Sequence, residues 1–111
     1  MTIRSAKQKG ARLQNRVRLK LLKRWPKLEE GDLKTAVMGE SGLDVRLSPA
    51  AKRVIPLDIE CKNTETLNIW RAIQQAEANC APKRVPCVIF SRNHEKDWIA
   101  LPFDTYLKQI K

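Results

Sequence analysis

The stretch "VIPLDIECKNTETLNIWRAIQQAEANCAPKRVPCVIF", residues 54–90, decides the fold. It opens with an apolar run, "VIPLDIECK" (54–62), whose Pro56 stands near the start, where a strand tolerates a missing donor. "LNIWRAIQQAEANC" (67–80) follows, with Ile69, Ile73, Ala76 and Cys80 at helical spacing and Pro82 beyond its end. "VPCVIF" (85–90) is again a short apolar run, of the kind buried on both faces. Strand, helix and strand in that order predict a right-handed βαβ crossover.

Outward from this unit, "LDVRL" (43–47) alternates apolar and polar residues and reads as a strand, and "SPAA" (48–51) as a turn. "RNHEKD" (92–97) reads as a polar turn, "WIAL" (98–101) as a last strand, and "PFDTYLKQI" (102–110) as a helix with proline in its first turn. Its stripe is Phe103, Leu107 and Ile110. Residues 26–42, broken by Gly31, Gly39 and Gly42, read as loop with one short helical turn. At the start, a helix over about 5–25 carries Leu13, Val17, Leu21, Leu22 and Trp25 on one stripe and stops at Pro26. Ser5 and Gln8 have capping-box spacing. The expected class is α/β, a mixed sheet flanked by helices in the order α-β-β-α-β-β-α.

The chain has 111 residues, the size of a single domain, and 42% of them are hydrophobic, enough for a modest core. Its charge is uneven. Residues 1–27 hold ten Lys/Arg and no acid, whereas residues 28–111 hold twelve of each sign, so the whole +10 sits on the N-terminal segment that contains the first helix. That asymmetry points to a polyanion, most simply nucleic acid. Lys7, Lys9, Arg12 and Arg16 on the first half of the helix are the expected phosphate contacts. No apolar run has the length of a membrane span, and the first residues lack a secretory apolar stretch. Their basic, acid-free character is shared with transit peptides. Cys61, Cys80 and Cys87 are odd in number and lack zinc spacing, which suits reduced packing thiols in a cytoplasmic setting. His94 is the single histidine and has no partner signal.

Chemistry concentrates on three residues. Glu60 and Lys62 are two apart on one strand and share a face, while Ile59 and Cys61 point into the core. A hairpin-like return from 43–47 brings Asp44 beside Glu60, placing two carboxylates and an ammonium on an edge of the sheet. Hard oxygen ligands of this kind suit Mg²⁺ or Mn²⁺, which accept phosphate oxygens, and no organic cofactor is called for. The plain rival is an exposed cross-strand charge pair, with Asp44 closing a turn. Asp58 shares the face of Glu60 and reads as a peripheral, solvated carboxylate. Trp70 reads as core or groove packing.

"GLDV" (42–45) followed by "IECK" (59–62) resembles the PD-(D/E)xK nuclease pattern. "KQKGARLQNRV" (7–17) and "NIWRAIQQAEAN" (68–79) are similar to small phage and resolvase-type members, near the Holliday-junction resolvase and VRR-NUC branches. The resemblance runs from about Ser5 to Leu101 and implies a restriction-endonuclease-like core. It implies Asp44 and Glu60 as metal ligands, completed by the Cys61 carbonyl, and Lys62 as catalytic lysine. It favours Gln75 over Gln74 as the helix amide that orients water, metal or phosphate. Gln14 stands where many relatives carry a first-helix glutamate and is counted with Lys7, Lys9, Arg12 and Arg16 among the expected nucleic-acid contacts, and Glu40 is the candidate replacement carboxylate. The function so implied is a metal-dependent DNA endonuclease of a bacterial or phage-infected cell, working as a homodimer, with branched DNA such as a four-way junction or flap, nicked duplex and plain duplex all open as substrates. A non-catalytic nucleic-acid-binding module with the same fold is the alternative. It would bind DNA equally with and without Mg²⁺ and never cut.

Overall fold

The computed structural model describes residues 2–36 and 42–109. The first helix, α1 (Ile3–Arg24), starts a turn earlier than expected. Its cap is Thr2, whose Oγ1 accepts from the Ser5 N–H at 3.1 Å, so Ser5 lies inside the helix and the Ser5–Gln8 box is not its start. A 3-10 turn (Glu30–Asp32) and strand β1 (Leu33–Thr35) follow, in the segment that reads as loop. Then come β2 (Val45–Leu47), α2 (Pro49–Val54), β3 (Leu57–Asn63), α3 (Ile69–Asn79), β4 (Val85–Ser91), β5 (Trp98–Ala100) and α4 (Phe103–Gln109). Residues 48–51 are therefore mostly the start of a helix, not a turn. Ser48 caps it by accepting from the Ala51 N–H at 3.1 Å, and Pro49 fills a first position whose N–H has no partner to lose.

The five strands form one open mixed sheet in chain order, β1-β2-β3-β4-β5. β3 and β4 are parallel, joined through α3, and every other pair is antiparallel. The strand bearing Glu60 and Lys62 is thus the central one, not an edge. The apolar run of 85–90 forms its parallel neighbour β4, which is covered by helices on both faces.

One face carries α1, whose Leu13 and Val17 pack on Val45, Ile59, Cys61 and Cys87. The other carries α3, whose Ala72 and Ala76 lie against Val88. The buried stripe of α3 is rotated by one position from the Ile69–Ile73 line, leaving both isoleucines half-buried. A third cluster, Leu33, Ala51 and Ile55, ties β1 and α2 to the C-terminal half of α1. No described helix is long and apolar enough to cross a membrane.

Candidate active site

The β2–β3 ladder fails within one step of its start. Val45 pairs with Ile59, so the same register places Asp44 across from Glu60. There the backbones part, and Asp44 Oδ2 accepts the Cys61 N–H at 2.7 Å. The Asp44 N–H donates to the Ile59 carbonyl at 3.2 Å, and the Asp44 carbonyl accepts from Ala36 at 2.9 Å. A side chain tied at both backbone ends and at one carboxylate oxygen has little freedom left.

Glu60 is 1% exposed beneath α3. Its Oε1 accepts from Asn79 Nδ2 at 2.8 Å. Its pKa is raised to about 7, chiefly by burial and also by the facing Asp44 carboxyl, with Asn79 and Lys62 opposing the shift. Lys62 is half-buried, on the face of Glu60, and level with Phe90 on β4. Among the described residues it has no hydrogen-bond or ion-pair partner.

Two carboxyl groups facing each other in a low-dielectric site carry an uncompensated charge, which a divalent cation would relieve. The donor set is hard oxygen. Among the described residues no group of three His, Cys, Asp or Glu side chains could hold a metal. Two carboxylates fit Mg²⁺, which retains several waters and binds phosphate oxygens, and do not fit a fully protein-ligated ion. Cys61 stands between Glu60 and Lys62 on β3, and its N–H is the group that holds Asp44. Glu40 lies outside the described residues.

The remaining expected residues are dispersed. Gln75 is exposed on α3, one turn before Asn79, and the helix amide that reaches Glu60 is Asn79. Spacing could have found it, because Ala72, Ala76 and Asn79 recur at four and three, which puts a polar residue in the buried stripe. Gln14 is half-buried on α1, and α1 covers the sheet face opposite to that of Glu60. Lys7 and Arg12 are exposed, as phosphate contacts need to be. Arg16 is committed elsewhere: its Nε and Nη2 donate to Asp97 at 3.0 and 2.8 Å, and Lys20 donates to the same carboxylate at 2.7 Å. These bonds hold the Asp97 carboxyl down at about 2 and tie the 92–97 turn to α1.

Lys9 is 6% exposed, too deep for a surface phosphate contact. Its carbonyl accepts from Asn63 Nδ2 at 3.1 Å, while Lys9 Nζ and Asn63 Oδ1 are buried without partners among the described residues. Such orphaned groups are ordinarily satisfied by ordered water.

Asp58 is not solvated. It is 3% exposed and accepts from Arg84 Nε and from the Ala81 N–H, both at 2.9 Å. Arg84 also donates to the carbonyls of Lys52, Ile55 and Leu57. The cysteines are free thiols, and burial pushes those of Cys61 and Cys87 up, so neither is a nucleophile at neutral pH.

No family model, curated protein or solved structure matches this chain.

Proposed function

We propose that the chain is a metal-dependent DNA endonuclease of the PD-(D/E)xK, restriction-endonuclease-like kind. The observation that carries this reading is the pairing of Asp44 with the buried Glu60 at the break in the β2–β3 ladder, with Lys62 on the same strand face and, among the described residues, without a hydrogen-bond or ion-pair partner. A bound Mg²⁺ or Mn²⁺ would polarise the scissile phosphate and lower the pKa of water.

The chain's own groups do the rest. Asp44, anchored by the Cys61 N–H, and Glu60, oriented by Asn79, keep two interacting carboxyl groups side by side, each with one oxygen outside these bonds. Lys62 Nζ, with no hydrogen-bond or ion-pair partner among the described residues, can donate to a phosphate oxygen where negative charge grows, or hold the attacking water. Gln75, exposed a turn along α3, is available to an incoming phosphate or water. Lys7 and Arg12 supply salt-dependent affinity without reading sequence.

Labelled four-way junction, duplex and single-stranded DNA, each with Mg²⁺ or Mn²⁺ and with EDTA, test the reading. Metal-dependent cutting that Lys62→Ala abolishes while DNA binding survives is the expected result, and the preferred substrate defines the branch. Cutting retained by purified Lys62→Ala overturns the assignment. Tight binding with no cutting of any substrate moves the protein to the non-catalytic module.

A further inference from the structure

The β5 end of the molecule is unfinished. β5 is an edge strand with Trp98 and Ile99 exposed, and an unpaired apolar edge invites another chain. On the α3 face a groove of about 380 Å³ runs between α3 and β5, lined by Trp70, Ile73, Ala76, Val88, Leu101 and Pro102. Helix α4 leaves from the mouth of this groove and buries none of its residues. Its apolar positions Phe103, Tyr106 and Leu107 lie at helical spacing and are 70%, 46% and 52% exposed. Trp70, on the groove wall, is 73% exposed. The chain therefore carries both an empty apolar groove and an unburied apolar helix stripe.

The charges here select the occupant. From Trp98 to Gln109 the only charged residues are Asp104 and Lys108, and α3 carries only Arg71 and Glu77. This end is neutral on a chain of +10. Two copies can meet through the α3–α4 side of this end, away from Lys20 and Arg24, which flank Trp98 and Ile99 on the α1 side of β5, and so without the repulsion that α1 would impose. Glu77 lies on the groove wall and Lys108 in the last turn of α4. When α4 of one copy enters the groove of another, these opposite charges can meet, and the exchange is reciprocal. That is the self-complementarity a two-fold interface requires.

We infer that this face is a homodimer interface in which each copy's Phe103–Leu107 stripe fills the other's groove beside Trp70. The proposal does not depend on the nuclease reading, since its readout is mass and not cleavage. The experiment is sedimentation velocity of the full chain up to about 100 μM, comparing wild type with Phe103→Asp, Leu107→Asp and Leu19→Asp. Leu19 is an exposed apolar residue of α1 outside the patch, 54% exposed, and serves as the control.

Wild type and Leu19→Asp should sediment as dimers, twice 12.8 kDa, and the two α4 variants as monomers with unchanged far-ultraviolet circular dichroism. If one α4 variant loses its fold, the other carries the comparison. Carbodiimide should cross-link Glu77 to Lys108 between copies. A wild-type monomer across the range, a dimer that both α4 variants preserve, or equal loss in Leu19→Asp would each overturn the assignment. A wild-type monomer would leave the face to a different protein.

Discussion

Asp58 and Glu60 stand two residues apart on one face of one strand, and both are almost wholly buried, yet their surroundings are opposite. Asp58 meets a guanidinium and a backbone N–H, with Arg84 bonded in turn to three carbonyls. The charge is matched and the group joins α2, β3 and the α3–β4 loop. Glu60 meets one amide and another carboxyl group. Burying a charge is tolerable when it is paired, and costly when it is not. A fold that accepts the second arrangement beside the first gives up stability at one position, as functional sites do.

The sharpest test of this contrast is a pair of near-isosteric substitutions. Asp58→Asn should destabilise the fold by about 3 kcal/mol, because it leaves the Arg84 charge unpaired in a poorly hydrated site. Glu60→Gln should instead stabilise it by about 1 kcal/mol at pH 8, because it removes the buried charge and the repulsion from Asp44. Urea unfolding of both variants checks the opposite signs. Equal losses would mean that Glu60 is a structural group like Asp58.

The same contrast predicts the pH dependence. Glu60 titrates at about 7 in the folded chain against 4.5 for the ordinary side chain. Between those values the folded chain holds a proton that the unfolded chain has released. Raising pH therefore lowers stability across that window, and the slope levels off above about 7. The decline should vanish in Glu60→Gln. Mg²⁺ should raise the melting temperature of wild type at pH 8 and leave Glu60→Gln unmoved, since only the ionised pair attracts a cation. Asp97 runs the other way: its stabilisation is present above 3.8 and is lost as pH falls toward about 2. Thermal melts across pH separate the two windows.

The smallest effects divide the basic helix. Arg16→Met should cost about 1 kcal/mol by releasing one of the two cations on Asp97. Arg12→Ala should leave stability unchanged but reduce the salt slope of DNA binding by about one. A reversed pattern would place the phosphate footprint on Arg16, against its bidentate pairing.

Much of the architecture was legible because it is local. The βαβ unit reads from apolar runs, helical spacing and bounding prolines, and its elements fall within a few residues of 54–62, 67–80 and 85–90. The start of α2 was legible too, since Ser48–Pro49 is a cap followed by a first-turn proline, but the short "SPAA" reads equally as a turn. β1 was not legible, because three residues between glycine-broken segments have no period of their own and are held by pairing with β2.

What the sequence determined by itself is the concentration of charge on α1, the βαβ crossover, and the shared face of Asp58, Glu60 and Lys62. All three follow from composition or from a two-residue or 3.6-residue period. Tertiary structure alone decided what covers that face. Arg84 reaches Asp58 from 26 positions away, Asn79 reaches Glu60 from 19, and Asp97 claims Arg16 from 81. A period tells which way a side chain points, and only the packing of distant elements tells what it meets there.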